Sequence, residues 1–317
     1  MTTSPTHHIP VLTERVFALL APALTRPGAV FVDATVGLGG HSEFALRHFP
    51  DINVVGLDRD KVALAYSEQR LAPWAARVHL VHAVYDELPV VLARMGFDSA
   101  DGILFDLGVS SMQLDIADRG FAYSVDAPLD MRMNQDDELT AAHVVNNYSE
   151  VELTRILREF GEEKFAPRIA RGIVRARETE PVTSSQQLVD IIREAVPAPA
   201  RRQGGNPAKR SFQAIRIEVN GELECIRRAI PAALDVLGVG GRLVVMSYQS
   251  LEDRLVKTEF VERTTSDIPA DLPFVPAGHE PAYRLLHRGS IKATDGEIAE
   301  NPRAASVRLR AIERVAA

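Results

Sequence analysis

The chain has few of the residues that build a covalent or metal-held scaffold. Cys225 is its only cysteine, which excludes an internal disulfide and any cluster of thiolate metal ligands. No metal site is expected, and a reducing compartment, the cytoplasm, fits this usage best. No apolar run reaches the roughly eighteen residues a membrane-spanning helix needs. The N-terminus, Met1–Pro10, is polar and carries His7 and His8. It does not show the charged start and apolar stretch of a secretory signal. Positive charge is also in deficit, with 36 Lys and Arg against 43 Asp and Glu and a net charge of -7. That balance argues against a protein that coats nucleic acid indiscriminately.

What is present is the composition of a soluble globular protein, 46% hydrophobic and 25% charged. At 317 residues it is long enough for one large domain or two ordinary ones. Short apolar runs at Ala29–Ala34, Asn53–Leu57, Arg77–Ala83 and Gly102–Leu107 read as strands. Helical patterns such as His41–His48 and Lys61–Leu71 alternate with them. This is the βαβ rhythm of a parallel sheet covered on both faces.

From about Met112 to Ser211 the strand signal stops. Val151–Phe160, Phe165–Arg177 and Ser185–Ala195 read as helices, the first with Ser149 and Glu152 spaced as a capping box. Val196–Lys209, rich in Pro, Gly and Arg, reads as a loop. A helical pattern over Glu222–Leu237, a Gly238–Gly241 turn and a strand over Gly241–Tyr248 follow, with weaker strands at Tyr283–Leu286 and Ser306–Ile312. The expected organisation is one α/β domain formed by residues 1–111 and 212–317, interrupted by a helical insertion at 112–211. Two basic clusters stand out, one within the insertion and one that spans its end. Between Arg201 and Ile217 stand Arg201, Arg202, Lys209, Arg210 and Arg216 with no acid, and Arg168, Arg171 and Arg175 share one helical face. Either cluster also reads as an ordinary solvated surface.

The strongest local feature is the run Val32-Asp33-Ala34-Thr35-Val36-Gly37-Leu38-Gly39-Gly40-His41. An apolar strand enters a glycine turn and then a helix, an arrangement that brings backbone N–H groups close to a ligand. The spacing is G-x-G-G, and His41 stands where a dinucleotide fingerprint would place its packing glycine. Asp58 ends the second strand 21 residues after Gly37, close to the spacing of about twenty at which an acid meets ribose hydroxyls. Together these point to a ribose-bearing cofactor, although Asp58-Arg59-Asp60 also reads as a charged loop. Tyr85 follows the third strand, where an adenine could stack. Asp106 ends the apolar fourth strand at the edge where open α/β sheets bind ligands. Gln113 is close enough in sequence to serve the same pocket, and equally reads as a loop amide.

Several longer motifs occur in order. They are His8-Ile9-Pro10-Val11-Leu12, Gly37–His41, Asp106-Leu107-Gly108-Val109-Ser110-Ser111, Pro128–Met133, Gly161-Glu162-Glu163, Arg210–Ile217, Ser250-Leu251-Glu252-Asp253-Arg254 and Asn301-Pro302-Arg303. Through them the chain resembles, nearly end to end, the RsmH (MraW) family of bacterial 16S rRNA cytosine N4-methyltransferases. The resemblance implies a class I S-adenosylmethionine-dependent methyltransferase fold, a Rossmann-like and mostly parallel sheet, with an inserted helical domain. It implies S-adenosylmethionine held by Gly39, Gly40, His41, Asp58, Asp106 and Gln113, with Tyr85 at a place the family fills with an aromatic. One departure stands out. Where many members read Ser-Phe-His-Ser-Leu-Glu-Asp, this chain reads Ser247-Tyr248-Gln249-Ser250-Leu251-Glu252-Asp253, and Gln249 cannot titrate.

On this reading Asp106 is the candidate proton acceptor for a cytosine amine, with the Leu107 carbonyl beside it, or else it serves only the cofactor. The target base must be unstacked, and Phe121, Tyr123 and Tyr248 are candidates to stack on it or to pack in a core. Arg201, Arg202, Lys209, Arg210 and Arg216 are the expected phosphate contacts to 16S rRNA, within the small ribosomal subunit. Whether the chain acts as monomer or homodimer is open. Competing readings are a ribosome-assembly factor with a vestigial cofactor site, an NAD-dependent oxidoreductase, and a related enzyme acting on DNA.

Overall fold

The computed structural model describes residues 10–203, 206–266 and 279–317. His8 and Ile9 of the N-terminal motif, and the Arg202 and Ser111 side chains, lie outside the described residues. The chain divides into two compact units, residues 1–108 with 223–317, and residues 109–222.

The first unit opens with helix α1 (Thr13–Leu24) and strand β1 (Val30–Asp33), followed by α2 (Gly40–His48), β2 (Asn53–Asp58), α3 (Lys61–Leu71), β3 (Val78–His82), α4 (Leu88–Arg94) and β4 (Ala100–Asp106). The second unit is helical, with α5 (Ser111–Asp115), α6 (Ala141–Asn147), α7 (Glu150–Glu159), α8 (Ala166–Thr179), α9 (Ser185–Ala195), α10 (Ala198–Gln203) and α11 (Ala208–Asn220). The chain then returns through α12 (Glu222–Asp235), β5 (Leu237–Ser247), α13 (Ser250–Thr264), β6 (Tyr283–Leu285), α14 (Asp295–Glu300) and β7 (Arg308–Arg314).

Seven strands form one sheet in the order β3-β2-β1-β4-β5-β7-β6. The first five are parallel, and β7 runs antiparallel to both β5 and β6. This is the class I methyltransferase arrangement that the family resemblance implied. The central strands are buried on both faces, as Phe31, Val32, Ile103, Leu104, Phe105 and Val244 all show, which is why they read as continuous apolar runs and not as alternation. Connections run outward from β1 to β3 and then cross back to β4, so the strand order reverses between β1 and β4. Ligands of open α/β sheets bind in the crevice at that reversal. At Gly238–Gly241 the expected turn is a bulge inside β5, since Ala100 pairs with Leu237 but Gly102 pairs with Arg242.

The second unit has its own core, in which Leu153, Ile156, Ile169, Ile173, Leu188, Ile192 and Ile215 are fully buried. Ser149 and Glu152 do form a capping box, and Ser184 with Gln187 forms another. Two sequence expectations change here. The stretch Val196–Lys209 is not all loop, because Ala198–Gln203 is helical; Pro199 sits in its first turn, where a proline costs no hydrogen bond. The helix over Ala208–Asn220 packs with this unit, so the chain leaves it after Glu222 and not after Ser211. Asn220 explains why. Its side chain accepts from the Met133 N–H at 2.7 Å and donates to the Met131 carbonyl at 2.8 Å, stitching the Pro128–Met133 loop to the end of α11.

Candidate functional site

The glycine turn after β1 is held from below and from beside. Gly37 has a φ of 52° and Gly39 one of 75°, conformations that favour glycine. Asp58 Oδ2 accepts the Gly37 N–H at 2.9 Å, and Asp58 Oδ1 accepts the Asp60 N–H at 2.8 Å. From α3, the buried Ser67 hydroxyl donates to the Gly37 carbonyl at 2.6 Å, and Arg70 donates to the Leu38 carbonyl at 3.3 Å. The N-terminal segment closes the other side. A Cβ on Gly40 would lie 2.4 Å from Pro10 Cγ, so glycine is what lets Pro10 pack there.

His41 points both ring nitrogens at protein. Nε2 is 3.0 Å from the Val11 carbonyl oxygen, and because a carbonyl only accepts, Nε2 carries the hydrogen. Nδ1 lies 3.9 Å from Asp106 Oδ2, beyond hydrogen-bond reach. Burial pushes the His41 pKa down, so the ring is neutral at pH 7.

Asp106 stands at the end of β4, beside the strand reversal. Its backbone N–H donates to the Thr35 hydroxyl at 2.7 Å, which ties the ends of β1 and β4 together. Its side chain is 25% exposed, enough to meet a ligand. Oδ1 accepts a hydrogen bond from the Tyr248 hydroxyl at 2.7 Å. Burial raises the Asp106 pKa to about 6, against the lowering effect of that hydrogen bond. Asp58 and Asp33 are also raised to about 6, each mainly by burial. Tyr85 follows β3, with its ring edge-on to Phe105 at 5.6 Å.

The structure thus brings Gly39, Gly40, His41, Asp58, Tyr85 and Asp106 to the carboxyl ends of β1 to β4. Gln113 belongs to the helical unit, where its Oε1 accepts the Ser110 N–H at 3.0 Å in a capping box. Among the stacking candidates, Phe121 is buried in the helical core, and Tyr123 is edge-on to Phe212 at 5.9 Å. Tyr248 is tied to Asp106 by its hydroxyl.

Of the expected phosphate contacts, Arg201, Lys209 and Arg210 are exposed. Arg216 is not available. Its Nε and Nη2 bind Glu222 at 2.8 and 2.9 Å, with only 13% and 5% of the two side chains exposed. On α8, Arg168, Arg171 and Arg175 face solvent opposite the buried Ile169 and Ile173, and Arg171 is 3.5 Å from Glu150.

Several site residues escaped the sequence reading. Ser67 gave a signal in retrospect, as a polar residue between Ala63 and Leu71 on the buried face of α3. Asp33 gave the same signal as Asp106, an acid ending an apolar strand. It is 1% exposed, accepts from Ser42 Oγ at 2.8 Å through Oδ2, and has no partner for Oδ1. The motif around Ser250 is scaffolding. Glu252 accepts the Tyr248 and Gln249 N–H groups at 2.8 and 3.1 Å, and Asp253 binds Arg308 and Arg310 of β7.

A family model described as the MraW methylase family matches residues 5–315. The chain is 64% identical over 307 residues to the ribosomal RNA small subunit methyltransferase H of a Nocardioides species, covering 97% of this chain and 96% of that one. It is 63% identical over 310 residues to the protein of that name from Frankia alni, with 98% and 95% covered. For Streptomyces avermitilis the identity is 58% over 312 residues, with 98% of both chains covered. A solved rRNA methylase from Streptococcus thermophilus superposes with a TM-score of 0.43 at 12% identity over 99% of each chain, too remote to add to the sheet order itself. The chain belongs to the MraW methylase family.

Proposed function

We propose that this chain methylates the exocyclic N4 amine of a cytosine in the decoding region of 16S rRNA, using S-adenosylmethionine. Full-length identity to proteins named for methylation of small-subunit ribosomal RNA supports the substrate class. The observation that carries the chemistry is the placement of Asp106, partly exposed at the strand reversal and 2.7 Å from Tyr248.

The residues present fit the cofactor. Gly37 and Gly39 both have positive φ, and a Cβ on Gly39 would crowd Ser67 and Leu71 of α3, so glycine lets the turn hold the shape in which its backbone N–H groups can serve a ligand. Each Asp58 oxygen uses one lone pair on a backbone N–H and keeps another for a ribose hydroxyl. Gly39, Gly40 and His41 would contribute backbone groups of the turn, and Tyr85 an aromatic face for the adenine. Bound there, S-adenosylmethionine supplies an electrophilic methyl group on a sulfonium.

The protein supplies the rest. The lone pair of a cytosine amine is delocalised into the ring, so the amine is a poor nucleophile. Asp106 accepts a hydrogen bond from that amine, localises the lone pair as nitrogen binds methyl, and takes up the displaced proton. With a pKa of about 6, Asp106 is ionised at neutral pH and still close enough to it for effective proton transfer. The base reaches this pocket only when unstacked from its helix. The helical unit supplies RNA-facing surface through Arg201, Lys209 and Arg210, joined by the exposed face of α8. Such contacts give affinity and register but no sequence reading. The substrate form, free 16S rRNA or small subunit, follows from which one accepts methyl.

The deciding experiment is mass spectrometry of 16S rRNA from cells with and without the gene. One cytidine carrying an N4 methyl is expected to lose it in the deletion and regain it with the wild-type chain. An unchanged methylation map would overturn the proposal. Calorimetry with S-adenosylmethionine and with NAD checks the cofactor, and binding of NAD alone would end the methyltransferase reading.

A further inference from the structure

Tyr248 comes from the end of β5, while Asp106 ends the neighbouring strand β4. The tyrosine backbone is fixed by Glu252, which accepts its N–H at 2.8 Å from the first turn of α13. Its ring packs beside Gly108, whose φ of 96° favours glycine, a Cβ there lying in ordinary contact at 3.7 Å from the ring. Its hydroxyl ends on Asp106 Oδ1. A carboxylate at the tip of a strand is otherwise free to rotate about its last torsion. A donated hydrogen bond from a fixed ring removes that freedom and stabilises the ionised form.

We propose that Tyr248 is a positioning residue for Asp106, its hydroxyl locking Oδ1 in place so that Oδ2 faces the reacting amine. The inference rests on the reading of Asp106 as proton acceptor. Tyr248 is well suited to remain a donor. Burial and the neighbouring Asp106 charge raise its own pKa well above the ordinary phenol value, so it stays protonated throughout the working range. The other groups facing Asp106 do not replace it. His41 on α2 is neutral and 3.9 Å away, and Asp33 of β1 is a like-charged neighbour. Glu252 and Arg303 act on Tyr248 with opposite sign. Gln249, next in the chain, leaves its buried Oε1 unbonded and cannot titrate.

The test is Y248F, assayed for labelled-methyl transfer to small subunits from cells lacking the gene, across pH 5.5–8.5. The expected result is a kcat about fivefold lower at pH 6 and little affected at pH 8. The acid limb of kcat should move up by about one pH unit. Calorimetry should give an S-adenosylmethionine dissociation constant within about threefold of wild type. An unchanged kcat, or a loss with the acid limb unmoved, would overturn the inference. Should Y248F fail to fold, 3-fluorotyrosine at 248 serves instead. As a stronger donor it should move the limb to lower pH, and an unmoved limb counts against the proposal. Asp106→Asn in the same assay separates the two readings. Full turnover in that variant removes Asp106 as acceptor whatever Y248F shows.

Discussion

The Gly37 N–H and Asp58 Oδ2 are 2.9 Å apart, so the tip of β2 holds the glycine turn and forms one wall of the proposed ribose site at the same time. Asp58→Ala removes both functions. It withdraws the acceptors for two ribose hydroxyls and leaves the Gly37 and Asp60 N–H groups without a partner. Loss of hydrogen bonds to a charged group at about 1.5–3 kcal/mol predicts a cofactor dissociation constant raised about a hundredfold. A pH effect accompanies it. Burial raises the Asp58 pKa to about 6, so affinity in the wild type should weaken as pH falls from 7 to 5 and the carboxylate takes up a proton. Calorimetry at pH 5, 6 and 7 on wild type and Asp58→Asn checks both. The variant should show a shallower decline, and an identical decline would remove Asp58 from the site.

Gly40→Ala tests the other wall. Its Cβ would sit 2.4 Å from Pro10 Cγ, closer than any packed carbon pair tolerates. The segment Pro10–Leu12 must then move, carrying the Val11 carbonyl away from His41 Nε2. Leu12 has little slack to absorb the shift, since its φ is already 50°. Overpacking of this kind costs about 1–3 kcal/mol. A melting temperature lower by about 2–6 °C is expected, with cofactor affinity reduced about tenfold or more. A variant that melts and binds like wild type would show that the N-terminal segment does not support the turn.

These walls mark the limit of what the sequence shows. Strand periodicity placed β1 to β5 within a few residues, because central parallel strands are apolar without interruption. Spacing alone suggested that the glycine turn and Asp58 serve one ribose-bearing cofactor, but not that Asp58 also bonds the Gly37 N–H. The packing of Ala208–Asn220 was not visible, because nothing local says that Asn220 bonds Met131 and Met133, about ninety residues earlier. The Arg216 pairing was hidden for a related reason. Between Arg201 and Ile217 there is no acid, and Glu222 lies outside that window, at the start of α12 beyond the Gly221 cap. Tyr248 and Asp106 are 142 residues apart, and only strand order brings them together.

Arg216 and Glu222 form a bidentate pair, both largely buried. Removing one partner of such a pair leaves an uncompensated charge and costs about 3–5 kcal/mol. Arg216→Ala should therefore lower stability by that amount, read from denaturant unfolding. Lys209→Ala and Arg210→Ala should leave stability within about 0.5 kcal/mol and act on RNA instead. Each should weaken binding and flatten the slope of log K against log salt by about 0.7–0.9. If Lys209→Ala and Arg210→Ala leave the salt slope unchanged, this surface does not meet phosphates.

Asp33 carries the last expectation. Its carboxyl is 1% exposed, with Oδ1 unpartnered, and burial raises its pKa from 3.8 to about 6. Between those values the folded chain holds a proton that the unfolded chain releases. Its contribution to stability is therefore full below pH 4 and is lost as pH rises through 6. Asp33→Asn keeps the shape and an acceptor for Ser42 but removes the titration. The stability of the variant relative to wild type should rise between pH 4 and pH 7, by at most about 3 kcal/mol. Taking the difference at each pH cancels Glu43, Asp130 and Asp253, whose carboxyls are held below their ordinary range and drive stability the opposite way. Denaturant unfolding at half-unit pH steps gives the curve. A difference flat across that range would mean that Asp33 is already ionised at pH 4 in the folded chain.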